Sequence, residues 1–233
     1  MTPFVAKFQA HMDRLPLVAI LRGLKSEEAL AVGQAIVNAG FHILEVPLNS
    51  PEPFRSIQIL SAAFPNALVG AGTVTTAQQV RDIKAAGGQL IISPHLDDNV
   101  VCEAVNLGMV SLPGVATPSE AFRALALGAN GLKLFPAEMI SPAVVKSMRA
   151  VLPKEVKLCL SAVLAFTTWQ STAKVAPRDL ALVRPCLPLA NRLKRWANLQ
   201  RPLLKLGIRA KICTLEFHAL DTCLQQVFLN HSQ

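Results

Sequence analysis

Short apolar runs recur along the first 160 residues, and segments with helical periodicity separate them. The runs are LVAILR from Leu17, HILEVPL from His42, LVGAGTV from Leu68, LIISP from Leu90, MVSLPGV from Met109, GLKLFP from Gly131 and VKLC from Val156. Intervening segments such as TPSEAFRALALG space their apolar residues as a helix does and commonly close with a glycine. Apolar strands joined by crossover helices predict a parallel sheet covered on both faces.

The spacing of these runs narrows the fold class further. Successive strand starts lie 25, 26, 22, 19, 22 and 25 residues apart. Seven strands at this spacing predict an α/β protein with a (β/α)8 TIM barrel, which needs one more unit. The alternative is a doubly wound open sheet, but no G-x-G-x-x-G turn follows the first strand.

Composition excludes several classes of protein. Of the 233 residues, 52% are hydrophobic and 16% are charged, so intrinsic disorder is excluded and a large core is expected. No apolar run reaches the roughly 18 residues of a membrane span, and no signal-peptide pattern opens the chain. The five cysteines form no C-x-x-C pair, so neither a zinc site nor a disulfide framework is indicated. We expect a soluble, cytoplasmic protein without a membrane partner.

Polar residues stand at the ends of four predicted strands, where the reactive groups of a barrel lie. They are Arg22, Glu45, Thr73 and Lys133. In GLKLFP the two leucines share one face and the lysine takes the other; in HILEVPL the glutamate opposes the leucine face. If the leucine faces meet the helices, Lys133 and Glu45 both point into the barrel.

A lysine inside a barrel is costly unless the protein uses it. Burial lowers its pKa, and reaching about 7.5 from about 10.4 costs roughly 4 kcal/mol. The neutral amine of Lys133 could then attack a carbonyl and form a Schiff base, with Glu45 as the general acid/base. The alternatives are a lysine that extends to solvent at its strand end and a structural Lys133–Glu45 ion pair.

Other polar groups suit an anion at the same end. A guanidinium fork at Arg22 and a hydroxyl at Thr73 can hold a carboxylate, although each residue alone is more often structural. Asn49 follows the second strand as a polar group at the pocket rim, where such a residue is usually a loop cap.

These segments resemble a known family. PLVAILRG, ILEVPLNSP, VGAGTV, IISP, PGVATPSEA and GLKLFPAE are similar to the KDPG/KHG class I aldolases, which cleave 2-keto-3-deoxy-6-phospho sugar acids through a Schiff base. The resemblance runs from about Leu15 to Cys159. Within the family, ILRG and EVPLNSP are most similar to the branch acting on the galactonate isomer. The gluconate branch usually has arginine where this chain has Asn49.

The resemblance implies an activity and a set of residue roles. The products would be pyruvate and glyceraldehyde 3-phosphate, with Lys133 as the Schiff-base lysine and Glu45 as the proton-transfer residue. Arg22 and Thr73 would bind the substrate carboxylate, and the pyruvyl pocket would be shaped by Pro94 and Phe135. The family needs no metal or other cofactor and is commonly a homotrimer.

The chain changes character near residue 160. Residues 1–160 hold 13 Lys and Arg against 12 Asp and Glu, a net of +1, whereas residues 161–233 hold 10 against 3, a net of +7. The family holds the sugar phosphate on glycine-rich loops after strands seven and eight, but here the last 73 residues contain only Gly207. We therefore divide the chain into an aldolase barrel, residues 1–159, and an atypical basic tail, residues 160–233, and we expect units seven and eight to be disrupted.

The genetic code offers an explanation for the tail. Reading residues 160–191 from the third base of each codon, with permitted synonymous codons, restores V-G-G-V and L-G-S at the family's spacing. Continuing through residues 192–207 restores a final amphipathic helix. We predict a one-register frame change near Cys159–Leu160, in the gene or in its sequencing.

Three interpretations follow. The leading one is a class I aldolase; the galactonate and gluconate isomers of its substrate are not firmly separated. The second is a barrel whose basic tail binds nucleic acid, since Trp169 and Trp196 could stack on bases, although the tail has no recognised binding motif. The third is a broken aldolase, poorly soluble and nearly inactive, because the eighth-strand candidate LALVRPCLPLA contains prolines that suit a strand poorly.

Overall fold

The computed structural model describes residues 1–160 and 180–183. Its strands are β1 Leu17–Ile20, β2 Ile43–Pro47, β3 Leu68–Gly72, β4 Leu90–Ile92, β5 Val110–Leu112, β6 Gly114–Val115, β7 Gly131–Leu134, β8 Lys157–Leu160 and β9 Leu180–Val183. Its helices are α1 Pro3–Arg14, α2 Ala29–Asn38, α3 Pro53–Ala63, α4 Ala77–Ala85, α5 Asp98–Asn106, α6 Pro118–Ala126 and α7 Pro142–Val151, with 3-10 turns at Ser26–Glu28 and Ala137–Met139. Each predicted strand forms within one residue of its expected start.

All strand pairs are parallel, in the order β5-β4-β3-β2-β1-β9-β8-β7-β6. The two ends of this order, β5 and β6, follow each other in the chain with only Pro113 between them. β5 pairs with β4 and β6 pairs with β7, so the sheet closes on itself through one interrupted strand. The TIM-barrel prediction is confirmed, and the open doubly wound sheet is wrong because it would leave two free edges.

The eighth place in the ring is taken by β9, which pairs with β1 and β8. The prolines of LALVRPCLPLA were expected to disfavour a strand. The structure differs because β9 uses only LALV, at Leu180–Val183, and ends before Pro185. The segments in which the family has its glycine-rich phosphate loops, together with Trp169 and Trp196, lie outside the described residues, so the disruption of units seven and eight stays a prediction.

Alternating side chains divide the core into a barrel interior and an outer layer. Leu44 and Val46 of β2 pack in one outer cluster with the buried faces of α2 and α3. Leu132 and Leu134 of β7 pack in another with α6 and α7. The barrel interior is lined by the opposite faces of the strands, including Ile43, and is closed at its amino-terminal end by α1. Among the described residues, no helix is long and apolar enough to cross a membrane.

Candidate active site

Lys133 and Glu45 lie inside the barrel, as the alternation predicts. Their strand neighbours Leu132 and Leu44 face the helices, so the two charged side chains occupy the interior faces of β7 and β2. Lys133 is only 6% exposed, and Glu45 is 2% exposed. Burying charged groups to this extent is costly, and such residues are rarely kept without a use.

The surroundings of Lys133 favour its neutral amine. Burial is the main cause that lowers the pKa of Lys133, and the positive charge of Arg22 acts in the same direction. The Glu45 carboxylate opposes them and raises the pKa. The Nζ atom also lies 4.8 Å from the centre of the Phe135 ring. A buried amine of lowered pKa is the form that a Schiff-base nucleophile requires.

The carboxyl group of Glu45 has the opposite shift. Burial raises the pKa of Glu45, and the charges of Lys133 and Arg22 partly lower it again. Its buried Oε2 atom has no hydrogen-bond partner among the residues that the structure describes. A raised pKa and an oxygen open to a new partner suit a group that both takes and returns protons.

Gly72 makes room for that carboxyl group. A Cβ atom built on Gly72, at the end of β3, would fall 1.5 Å from the Glu45 Oε1 atom. Gly72 is not among the site residues predicted from the sequence. The signal lay in the GAGT run of the third strand, where a side chain is absent beside a predicted catalytic group.

Thr73 follows β3 in a strained backbone conformation. Its φ is 61°, in the left-handed region that a β-branched residue rarely adopts. Such a conformation costs on the order of 1–3 kcal/mol and is concentrated at functional sites. Thr73 is half-buried at the carboxyl end of the barrel, where a substrate-binding hydroxyl was expected.

Arg22 and Asn49 are joined at the same end. The Arg22 Nη1 atom donates to the Asn49 Oδ1 atom over 2.8 Å, which connects the segments that follow β1 and β2. Arg22 is half-buried, and its charge acts on both Lys133 and Glu45. A guanidinium so placed supplies the positive charge that an anionic substrate needs.

Phe135 lies beside the lysine, and Pro94 lies against the strand that pairs with the strand of Lys133. Pro94 follows β4, and a Cβ built on Gly114 would fall 2.4 Å from the Pro94 carbonyl. Gly114 is in turn the Cα partner of Lys133 across β6 and β7. Phe135 continues β7, is 36% exposed, and donates its backbone N–H to the carbonyl of Val115.

One buried neighbour of the lysine was not singled out from the sequence. Cys159 is the Cα partner of Lys133 across β7 and β8 and lies fully buried in the interior cluster. Strand alternation could have predicted this position, because Lys157 and Cys159 are two residues apart in β8 and therefore share one face of the strand. Within residues 1–160 and 180–183, no group of three His, Cys, Asp or Glu side chains could hold a metal ion.

Comparison with known proteins gives a consistent result. The family model described as "Aldolase: KDPG and KHG aldolase" matches residues 8–165. The chain is 42% identical to a probable 2-dehydro-3-deoxy-6-phosphogalactonate aldolase of Rhizobium meliloti (strain 1021), over 73% of this chain and 84% of that protein. It is 45% identical to the 2-dehydro-3-deoxy-6-phosphogalactonate aldolase of Escherichia coli (strain K12), over 61% and 70% of the two chains.

Solved structures agree with these relatives. A structure described as native KDPGal superposes with a TM-score of 0.72 at 34% identity, covering 82% of this chain and 97% of that one. A porous, cube-shaped protein cage designed by fusing symmetric oligomeric domains superposes with a TM-score of 0.71 at 32% identity, covering 94% and 83%.

Proposed function

Because the chain belongs to the KDPG and KHG aldolase family, we propose that it cleaves 2-dehydro-3-deoxy-6-phospho-D-galactonate to pyruvate and D-glyceraldehyde 3-phosphate. The family assigns it to the aldolases, which are carbon–carbon lyases. The observation that carries the proposal is the buried Lys133 amine of lowered pKa, which shares the barrel interior with the Glu45 carboxyl group.

The proposed reaction begins at Lys133. Its neutral Nζ atom attacks the C2 carbonyl of the keto acid, and loss of water leaves a protonated imine. This imine accepts the electron pair of the C3–C4 bond when that bond breaks, which gives an enamine and releases the aldehyde. Imine hydrolysis then frees pyruvate and regenerates the amine.

Glu45 carries the protons in this proposal. Acting through a water molecule, its carboxylate removes the proton of the C4 hydroxyl as the C3–C4 bond breaks, and the resulting acid protonates C3 of the enamine. The raised pKa supports this double role, because the protonated carboxyl group is then a stable intermediate form.

The remaining residues would hold the substrate. Arg22 and Thr73 would bind its carboxylate, the first through a guanidinium fork and the second through its hydroxyl. Pro94 and Phe135 would form the apolar walls of the pyruvyl pocket. The 4.8 Å contact between the Phe135 ring and the Lys133 amine supports this arrangement.

Two observations favour the galactonate isomer over the gluconate isomer. Both reported relatives are named for the phosphogalactonate. The Asn49 side chain is hydrogen-bonded to Arg22 at the position where the gluconate branch usually has arginine. Measuring the turnover of both isomers with one enzyme preparation would distinguish the two substrate assignments. A preference for the gluconate would reject the galactonate assignment.

Trapping with pyruvate and sodium cyanoborohydride tests the Schiff base. We expect the full chain to gain the mass of one reduced pyruvyl group, located on Lys133 by peptide mapping, and we expect Lys133→Met to gain none. Lys146→Met on α7 is a matched control that should label as the parent chain does. A folded parent chain that stays unlabelled, or a label on another lysine, would reject the mechanism.

We also propose that residues 160–233 are translated out of frame. The family match ends at residue 165, near the predicted frame change, which supports this division of the chain. We expect the frame-restored chain to turn over the phosphorylated substrate far faster than the chain as written. Resequencing independent clones across codons 155–165 is decisive: an unaltered frame in every clone would reject the proposal.

Two further properties belong to the same proposal. A homotrimer is expected when the frame is intact, and the similarity to a cage built from symmetric oligomeric domains supports an oligomer. A cytoplasmic location is expected because an ionised sugar phosphate does not cross membranes unaided. Light scattering of the frame-restored chain would measure the subunit number.

Salt-dependent DNA binding by the full chain would instead favour the nucleic-acid interpretation of the tail.

A further inference from the structure

We propose that Asn49 and Ser50 are positioning residues that hold the Arg22 guanidinium in place for the substrate carboxylate. The inference rests on the proposed function and adds to it a pair of residues that would set affinity without contacting the reacting atoms. Hydrogen bonds between the segment after β1 and the segment after β2 support it.

Two hydrogen bonds join these segments at consecutive residues. The Arg22 Nη1 atom donates to the Asn49 Oδ1 atom over 2.8 Å, and the Gly23 backbone N–H donates to the Ser50 Oγ atom over 3.0 Å. Arg22 is thus held by its side chain and, through the next peptide, by its backbone. A guanidinium that is hydrogen-bonded to Asn49 and carried on a backbone held by Ser50 loses less conformational entropy when it binds a ligand.

The backbone around this contact needs such support. Glu52, which follows on the second segment, has a φ of 40°, which is costly for a residue other than glycine, whereas Gly23 adopts its φ of 76° freely. Glu52 is held by a third bond across the same gap, in which the Ser26 hydroxyl donates to its carboxylate over 2.8 Å. For residues other than glycine, left-handed conformations persist only when surrounding contacts fix them.

Ser50 is the anchor of the contact. It is buried, with only 7% of its surface exposed, and its own backbone N–H donates to the carbonyl of Pro47 at the end of β2. The Ser50 Oγ atom therefore belongs to a turn that is bonded to the end of β2. Because Oγ accepts from the Gly23 N–H, the position of Gly23 is fixed relative to Glu45, which also lies on β2.

The chemistry at position 49 suits this task. The side-chain oxygen of Asn49 is a neutral acceptor, so it occupies one of the five guanidinium N–H groups and leaves the positive charge available. An aspartate there would neutralise the charge and compete with the substrate carboxylate. An alanine would leave the Arg22 side chain without this acceptor.

Pyruvate itself is the probe, because it carries the carboxylate and the keto group but needs no phosphate site. Exchange of its methyl protons for deuterium, followed by NMR, requires imine formation and proton transfer at C3. We would measure the exchange rate of the full chain against pyruvate concentration. Pyruvamide, in which a neutral amide replaces the carboxylate, serves as the comparison ligand.

We expect Asn49→Ala to raise the half-saturating pyruvate concentration about tenfold, which corresponds to about 1.4 kcal/mol, with little change in the maximal rate. Asn49→Asp should raise it further. Ser50→Ala should raise it several-fold, and Ser50→Thr, which keeps the hydroxyl, should restore it. Pyruvamide exchange should change little in all of these variants.

Asn38→Ala is the matched control, because it removes an exposed asparagine whose oxygen accepts from Gln34 on the outside of α2. It should leave pyruvate exchange unchanged. If the parent chain exchanges pyruvate but Asn49→Ala keeps its half-saturation, or weakens pyruvate and pyruvamide equally, the positioning role is wrong. If the folded parent chain neither exchanges nor traps pyruvate, the proposed function itself fails.

Discussion

The two ends of the barrel interior differ in the side chains that fill them. At the amino-terminal end, α1 packs Phe8 and Met12 against the interior cluster, and Lys7 donates to the carbonyls of Pro65 and Ala67. At the carboxyl end, the interior is occupied by Lys133 and Glu45. The Oε2 atom of Glu45 has no hydrogen-bond partner among the described residues.

This difference indicates which end of the barrel stabilises the folded state and which end destabilises it. Apolar burial of Phe8 and Met12 and the hydrogen bonds of Lys7 lower the free energy of the folded state at the amino-terminal end. Buried charges with incomplete partners raise it, and a protein keeps them where chemistry requires them. Variants at the amino-terminal end should therefore change unfolding, and variants at the carboxyl end should change chemistry.

Phe8→Ala should produce the largest effect at the amino-terminal end. Phe8 is fully buried between α1 and the barrel interior, so its truncation should reduce the free energy of unfolding by about 3–5 kcal/mol. Urea unfolding followed by circular dichroism measures this. Pyruvate exchange per folded molecule should remain near the parent value, and Phe122→Ala, on the exposed side of α6, is the matched control. Equal losses in the two variants would contradict a stabilising α1.

Gly72→Ala should produce the largest effect at the carboxyl end, apart from loss of Lys133. The added methyl group would collide with the Glu45 carboxyl group, which must move, and a misplaced catalytic group can cost roughly 100-fold in rate. Pyruvate exchange should fall by about that factor while trapping on Lys133 continues. Unchanged exchange would show that Glu45 is not held where the structure has it.

Gly70→Ala is the informative comparison. Its added Cβ would fall 2.0 Å from the backbone oxygen of Leu90 on the neighbouring strand, and backbone cannot move aside as a side chain can. We expect Gly70→Ala to impair folding and Gly72→Ala to leave folding intact.

Charge changes beside Lys133 should move its pH dependence in opposite directions. Glu45 raises the pKa of Lys133, so Glu45→Gln should lower that pKa and extend cyanoborohydride trapping to lower pH. Arg22 lowers the pKa of Lys133, so Arg22→Gln should raise it and shift the acid limb to higher pH. Trapping rates at saturating pyruvate across pH 5–9 measure both shifts. Shifts in the same direction would contradict the arrangement of charges.

Much of this arrangement followed from sequence. Alternation within GLKLFP and HILEVPL sufficed to place Lys133 and Glu45 inside the barrel, because strand period and apolar faces leave little choice. The left-handed backbone of Thr73 and the hydrogen bond between Arg22 and Asn49 did not follow from sequence. Both depend on how separate loops meet in space, and no local pattern encodes that meeting.

The amino-terminal helix was also missed. The apolar and helical alternation begins at Leu17, so the pattern predicts no element before β1. α1 precedes that alternation and is positioned by distant contacts, such as the ion pair of Asp13 with Lys157 at 2.8 Å. A single-sequence pattern predicts repeated units well and a unique closing element poorly.

The smallest predicted effect concerns a histidine pair at that closed end. The rings of His11 and His42 stack with centroids 5.1 Å apart, and the Arg14 Nη1 atom lies 3.1 Å from the His42 Nε2 atom. A guanidinium only donates, so that nitrogen accepts and His42 is neutral. Burial lowers the pKa of both histidines and the charge of Arg14 lowers it further, while the hydrogen bond of His11 to the Asn66 carbonyl partly raises the pKa of His11.

The sign of the resulting pH dependence is fixed by the lowered pKa values. Stability from the neutral pair is complete above the ordinary histidine pKa of about 6.5 and is lost as the pH falls through the lower folded-state pKa. The rings are half-buried, so the loss should be below about 1 kcal/mol.

His42→Asn keeps an acceptor for Arg14 but does not titrate, so it should lose less unfolding free energy than the parent chain between pH 7.5 and 5.5. His95→Asn, at the exposed carboxyl end, should behave as the parent does. A His42→Asn variant that follows the parent curve would mean that protonation of His42 does not weaken the contact between α1 and the barrel.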